Sequence, residues 1–395
     1  MLYNQDLSEP VSTILTAADI HKGFNQIDHS KTITILSDMQ VPGWLLRIIS
    51  SYLSNRMLEI RYLKETSSQK EMPGGAAAGT ILGLNLFLIL FNGAGPKASS
   101  ISIGQQITRP VNTRTSIPKS KVKWIDDMTL CNAVDLKTAL VPENRPVPRP
   151  LPYHGRTEHR LPRDRNTMQD DLDSLKSYTN SHLMAINETK TKAMFCNSRI
   201  KWDVIPELSL NGRDNIEIVD ELKIVGYVLR NDMKTISNTI YLTKKAYKRL
   251  WLIRRLKSLG ASVSQLVDCL QKQVLSVLWL GAPAWSCQLT MGERKDFDRV
   301  AKVGLKIIFG DKYNGFENAL QRANILKPTD QFIKMTKQFA TKSSKHPKFS
   351  KWFVPKQEDS ICTRSKKPTF IPVPCRTERY RKSPIPQLTA ILNDQ

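Results

Sequence analysis

Two adjacent carboxylates, Asp126 and Asp127, stand in the stretch Lys123-Trp124-Ile125-Asp126-Asp127-Met128-Thr129-Leu130. On a tight strand-to-strand turn such neighbours point different ways, so one reaches a ligand while the other supports it. Mg²⁺ prefers a few carboxylates plus phosphate oxygens to an all-protein cage. A second segment, Ala17-Ala18-Asp19-Ile20-His21-Lys22-Gly23-Phe24, ends an apolar stretch on Asp19 and adds an aromatic shortly after. Two ions about 4 Å apart on such carboxylates activate a hydroxyl and stabilise a pyrophosphate leaving group during in-line displacement. Asp19 and Asp126 are the first metal candidates and Asp127 the third, with Mn²⁺ as the substitute ion. Taken singly, Asp126-Asp127 also fits an ordinary hairpin turn and Asp19 a helix cap. Their ordered occurrence is what favours metal chemistry.

In order along the chain, further blocks join these two. They are Asp19-Ile20-His21-Lys22-Gly23-Phe24-Asn25-Gln26-Ile27-Asp28-His29, then Ser51-Tyr52-Leu53-Ser54-Asn55-Arg56, then Gly74-Gly75-Ala76-Ala77-Ala78-Gly79-Thr80-Ile81-Leu82-Gly83. After Trp124-Ile125-Asp126-Asp127 come Asn187-Glu188-Thr189-Lys190-Thr191-Lys192 and Leu222-Lys223-Ile224-Val225-Gly226. From Ala17 almost to its end the chain resembles the reverse transcriptases of non-LTR retrotransposons, specifically the jockey-like mobile elements. The resemblance implies an α+β right-hand polymerase palm performing RNA-directed DNA synthesis from a DNA primer on an RNA template, with deoxynucleoside triphosphates and two Mg²⁺ ions.

The same resemblance implies residue roles. Asp19, Asp126 and Asp127 would be catalytic metal ligands. Phe24 matches the aromatic gate under the sugar that excludes a 2′-hydroxyl; its alternative is a core residue. Lys190 matches the lysine near the triphosphate, where a cation neutralises departing pyrophosphate; a solvated loop lysine is the alternative. Gly79 is a substrate-binding candidate, and with Gly74, Gly75 and Gly83 it would admit template or nucleotide close to the backbone. Ala77-Ala78-Gly79 lies where the family has Pro-Gln-Gly, which removes a side-chain amide near the nascent base pair. Asn25 replaces an acidic residue of the family. The family places its fingers before the first motif, and eighteen residues precede Asp19, so the expectation is a truncated chain with its fingers largely missing. A catalytically inactive remnant that binds nucleic acid is the competing reading.

Composition agrees with a polyanionic partner. The 395 residues hold 59 Lys+Arg against 36 Asp+Glu, a net charge of +23, enough to draw a phosphate backbone by counterion release. No apolar run reaches the ~18 residues of a membrane span, and Met1-Leu2-Tyr3-Asn4-Gln5-Asp6 lacks the basic start and apolar core of a signal peptide. The expectation is therefore cytoplasm or nucleus, without a membrane. Six scattered cysteines with no Cys-x-x-Cys pair read as reduced thiols.

The elements that must position the site follow from periodicity. Residues 33–36 and 44–53 carry helical spacing, 56–62 alternates like a strand with Leu58, Ile60 and Tyr62 on one face, and 81–90 starts an ordered helix. A Pro- and Arg-rich loop is expected over 135–165, then a helix over 171–184 with Leu172, Leu175 and Tyr178 on one face. These make a palm over 1–232. A helical thumb-like region is expected over 233–331, opening with a basic amphipathic helix at 238–259 whose cationic face meets the duplex or is simply solvated. The Gly281-Ala282-Pro283-Ala284-Trp285 block and Arg299-Val300-Ala301-Lys302 within a helix at 297–310 match the family's post-palm blocks. Residues 332–395 read as a loosely ordered basic tail, with base stacking by Trp352, Phe353, Phe370 and Tyr380 as the other reading.

Overall fold

The structure, a computed structural model, describes residues 11–77, 80–92, 119–124, 127–135, 167–196, 208–210, 215–347, 349–356, 369–375 and 377–394. It is of mixed α+β class. The centre of the first half is a five-stranded sheet built from β1 (Val11–Asp19), β6 (Lys119–Trp124), β7 (Asp127–Asp135), β8 (Lys192–Cys196) and β9 (Glu217–Ile218), in the order β6-β7-β1-β8-β9. All neighbours are antiparallel except β8 and β9.

Alternation along β1 explains how the sheet is covered. Ile14 and Ala18 share one buried cluster with Phe87, Leu90 and Phe91 of α3 (Ile81–Asn92) and with Met168, Leu172 and Leu175 of α4 (Thr167–Ser181). Leu15 and Ala17 pack on the other side with Met194, Cys196, Leu222 and Leu229. Leu222 and Leu229 belong to a hairpin of β10 (Glu221–Ile224) and β11 (Tyr227–Arg230). The helices α1 (His29–Asp38) and α2 (Gly43–Leu53) form where helical spacing is read, and they pack through Leu36, Ile49 and Leu53 on Leu86 of α3.

The alternating stretch at 56–62 is strand, in two short pieces. It contributes β2 (Met57–Leu58) and β3 (Arg61–Tyr62), which pair with β5 (Lys70–Glu71) and β4 (Glu65–Thr66) in a nested hairpin arm. Leu58, Ile60 and Tyr62 are exposed there. The loop expected at 135–165 lies outside the described residues but for Asp135, the last residue of β7.

The second half is helical. It contains α5 (Ile236–Ser258), α6 (Val263–Cys269), the short α7 (Ala282–Trp285), α8 (Met291–Phe309), α9 (Phe316–Ala323) and α10 (Pro328–Lys345). The apolar stretch at 265–280 is not one continuous α-helix: α6 runs into a π turn at Leu270–Val274 and a 3₁₀ turn at Leu275–Trp279. Trp285 of the Pro-x-Trp block is fully buried, donates Nε1–H to Leu280 O at 2.9 Å, and packs its ring against Phe297 and Phe332. That block therefore serves the core. Tyr227 packs against both this core and the β10–β11 side of the sheet, joining the halves.

The tail reading is corrected. Phe332 lies inside α10, and Ala340, Phe353, Leu388 and Leu392 form a buried cluster with Trp352 and Phe370 against it; Leu388 and Leu392 come from α12 (Pro384–Asn393), which follows the short α11 (Glu378–Arg381). Phe353 is thus core and not a base-stacking surface. Among the described residues no helix is long and apolar enough to cross a membrane, and Cys269 and Cys287 are free thiols.

Candidate active site at the ends of β1 and β7

Strand register brings the two acidic segments together. β6 and β7 pair antiparallel down to Trp124 opposite Asp127, leaving Ile125 and Asp126 between them. β7 in turn pairs with β1 so that Asp127, its first residue, faces Asp19, the last residue of β1. The hairpin expected around the paired aspartates is present. Asp126 itself, and the side chain of Asp127, lie outside the described residues, as does Gly79. Among the described residues no group of three metal-ligating side chains is assembled.

A third segment converges on the same point. Beyond β1, Ile20 bridges Ile186, His21 N–H donates to Ala185 O at 2.8 Å, and Asn187 N–H donates to Asp19 O at 2.8 Å. Asn187 then organises a turn: its Oδ1 accepts from Thr189 Oγ1 at 2.8 Å and its backbone oxygen from Thr191 Oγ1 at 2.8 Å. Side chains such as Asn favour this local bonding over regular structure. The turn delivers Lys190 Nζ to within 2.9 Å of Asp19 Oδ2, and Asn187 Nδ2 stands 3.5 Å from the same oxygen. The Asp19 side chain retains 16% exposure, so the carboxylate sits at a solvent-reachable rim.

Phe24 follows in a 3₁₀ turn, Gly23–Gln26, entered through Lys22 in the left-handed region at φ 48°. Its ring is half-buried and stacks on Phe87 at 5.1 Å between centroids. Sequence reasoning missed three residues that hold this turn. Gln26 Oε1 accepts from Ala185 N–H at 2.8 Å, tying the turn to the Lys190 segment. His29 Nε2 lies 2.7 Å from Gly75 O. Asp28 caps α1, and the Lys31 N–H and Ser30 hydroxyl it accepts hold its carboxyl below the usual value. Gln26 and His29 reach partners distant in sequence and carry no periodic signal, so only tertiary structure assigns them, whereas Asp28 is a local helix cap.

The glycine-rich stretch is used differently from the expectation. Gly75 has φ 85°, and a Cβ there would stand 3.0 Å from Phe24 O; a Cβ at Gly74 would stand 3.3 Å from Ile27 O. Gly75 N–H donates to Ile27 O and Ala76 N–H to Phe24 O, each at 2.8 Å. A Cβ at Gly83 would meet Ala77 O at 2.5 Å. These three glycines let the chain approach its own backbone, clamping the loop onto the Phe24 turn.

No protein-family model matches the chain, and no curated protein matches it. Among solved structures, a telomerase from Candida albicans, solved with a fragment of telomeric RNA, is similar at 10% identity and a TM-score of 0.25, over 86% of this chain and 48% of that one. The chain thus spans about half the length of that telomerase. A TM-score this low carries no argument for a shared fold.

Proposed function

We propose that the chain is the polymerase part of a non-LTR retrotransposon reverse transcriptase, of right-hand palm and thumb-like organisation divided near 232 and 331. Its reaction is RNA-directed DNA synthesis by nucleotidyl transfer to a primer 3′-hydroxyl. The observation that carries this reading is the register that sets Asp19 opposite Asp127, with Asp126 next in the chain. That two motifs more than a hundred residues apart meet at one strand end supports this reading.

The donor set fits a hard cation: oxygen ligands at a strand end, one of them already facing the ammonium of Lys190. Asp19, Asp126 and Asp127 are the residues that would hold Mg²⁺, or Mn²⁺ in its place. When bound, such ions activate the attacking hydroxyl and neutralise the leaving pyrophosphate. Phe24 would lie under the sugar and favour deoxynucleotides, Gly79 would admit the nucleotide closely, and Lys190 would swing from Asp19 to the triphosphate and offset its charge. The partners are RNA template, DNA primer and deoxynucleoside triphosphates.

A second reading, a chain that binds nucleic acid without synthesis, is favoured by the Lys190–Asp19 contact, which satisfies the carboxylate without a metal, and by Ala77-Ala78 in the place of Pro-Gln. Primer extension on an RNA template with deoxynucleotides and Mg²⁺ separates the two. Extension by the parent, abolished in Asp126→Asn with template affinity retained, is the result expected. Extension that survives Asp126→Asn overturns the metal assignment, and template binding without any extension selects the second reading.

A further inference from the structure

The outward face of α5 combines basic side chains with an exposed indole. This helix, Ile236–Ser258, carries seven Lys and Arg residues and no acidic one. Its apolar side, Leu242, Ala246, Leu250 and Ile253, is spent in the core. On the opposite side, at helical spacing, stand Ile240, Lys244, Tyr247, Lys248, Trp251 and Arg255, all exposed. Trp251 is 65% exposed, a large indole left in water and flanked by cations at i−3 and i+4.

Three of the seven cations are engaged within the molecule. Lys245 lies over the Tyr241 ring, Arg249 donates to Gln273 O at 2.7 Å, and Lys257 donates to Ile307 O at 2.6 Å. Among the described residues Lys244, Lys248, Arg254 and Arg255 make no ion pair. The acidic charge felt at the edge of this face is Asp296 of α8, which reaches Tyr247 together with the opposing charge of Arg299.

We infer that this face binds single-stranded nucleic acid, with Trp251 stacking on an unpaired base while Lys244, Lys248, Arg254 and Arg255 contact phosphates. The inference rests on the nucleic-acid part of the proposed function and is independent of its metal site. Charge complementarity selects a polyanion, and the exposed indole selects unpaired bases, because a duplex hides its base faces in the stack and offers a helix face mainly phosphates. From Lys244 to Arg255 the face runs about 17 Å at the α-helical rise, long enough for several phosphates. An anionic membrane fits less well, since a surface-lying helix must bury its apolar side in lipid and α5 has already buried that side in the core.

The test is fluorescence anisotropy with labelled oligo(dT) of about 20 nucleotides, longer than the roughly 4–16 nucleotides of common single-strand sites. An abasic oligomer of equal length, a blunt duplex and phosphatidylserine vesicles are run beside it. Trp251→Ala is expected to weaken oligo(dT) binding about tenfold and leave the abasic oligomer unchanged. Lys244→Ala, Lys248→Ala and Arg255→Ala together are expected to lower the log–log salt slope on oligo(dT) by about 2. Both variants change exposed side chains only, and circular dichroism checks their fold. Equal loss on oligo(dT) and abasic oligomer, no loss on either, or loss confined to vesicles overturns the inference. Parent extension without the Trp251 effect sinks this inference alone, while the Trp251 effect without extension sinks only the polymerase reading.

Discussion

Lys190 holds its ammonium 2.9 Å from Asp19 Oδ2, at the strand end where Asp127 faces Asp19. The lysine side chain is 67% exposed, so the pair contributes only about 0–1 kcal/mol to folding. Its weight lies in occupying a carboxylate oxygen that a divalent ion would need. Lys190→Met is therefore expected to leave the urea midpoint nearly unchanged and to tighten Mn²⁺ binding, followed by electron paramagnetic resonance. Weaker Mn²⁺ binding in the variant would show that the lysine assists the ion and does not compete with it.

Glu293 is a buried carboxylate that joins two helices. Its Oε1 accepts from Thr235 Oγ1 at 2.6 Å and Thr239 Oγ1 at 3.1 Å, and its Oε2 from Thr290 N–H at 2.9 Å. Burial pushes its pKa up, but the hydrogen bonds from Thr235, Thr290 and Thr239 outweigh this and leave it below the usual 4.5. A depressed folded-state value means that the ionised group stabilises the fold above pH 4.5 and that this stabilisation fades as pH falls through the folded value. Glu293→Gln should cost about 1–3 kcal/mol at pH 7, since a charged acceptor is lost and a buried amide gained. The gap between parent and variant should close on acidification. A gap in urea stability that stays constant from neutral to acid pH would refute the electrostatic account.

The β1–β7 meeting was legible because an apolar run ending on a carboxylate says both strand and terminus. Lys190 was legible only through its motif, and Asn187, which aims it, was not singled out as a positioning residue because a lone polar residue has no period. Alternation at Leu58, Ile60 and Tyr62 marked strand but not its surroundings, because a solvent-facing arm and a half-buried strand share period two. The C-terminal stretch misled through composition: its many Lys and Arg residues mask four buried apolar residues, Ala340, Phe353, Leu388 and Leu392, which sequence distance keeps apart and folding gathers. The π turn left no mark in the hydrophobic pattern, since Leu270 and Val274 stand four apart, as on one face of an α-helix, with Gln271, Lys272 and Gln273 between them.

The β10–β11 turn stores strain that a substitution should release. Ile224 pairs with Tyr227, and the two residues between them, Val225 and Gly226, have φ 47° and 80°. Both positive angles are what a type I′ hairpin demands, and Asn-Gly is the preferred pair there, whereas a β-branched residue is strained. Val225 is 39% exposed, so little apolar burial opposes the change. Val225→Asn is expected to raise stability by about 1 kcal/mol, read as a higher urea midpoint at unchanged slope. A lower midpoint would mean that the Val225 side chain makes contacts worth more than the strain.

Gly304 of α8 packs closely against Leu270 and Leu250. A Cβ there would stand 2.5 Å from Leu270 Cδ1 and 3.4 Å from Leu250 Cδ2, and Leu270 opens the π turn. Both leucines are buried in the same core, so neither is free to swing into solvent. Gly304→Ala should gain helix propensity yet lose about 1–3 kcal/mol to overpacking. Leu270→Ala alone should cost about 2–5 kcal/mol by opening a cavity. The double variant should cost less than the sum, because the new methyl enters the space the leucine leaves and the coupling between touching residues is about 0.5–3 kcal/mol. Urea denaturation of the four proteins gives the cycle. Strict additivity would show that the Gly304 backbone moves away from α6 when a side chain is added, so that the close approach is not what the glycine is there to permit.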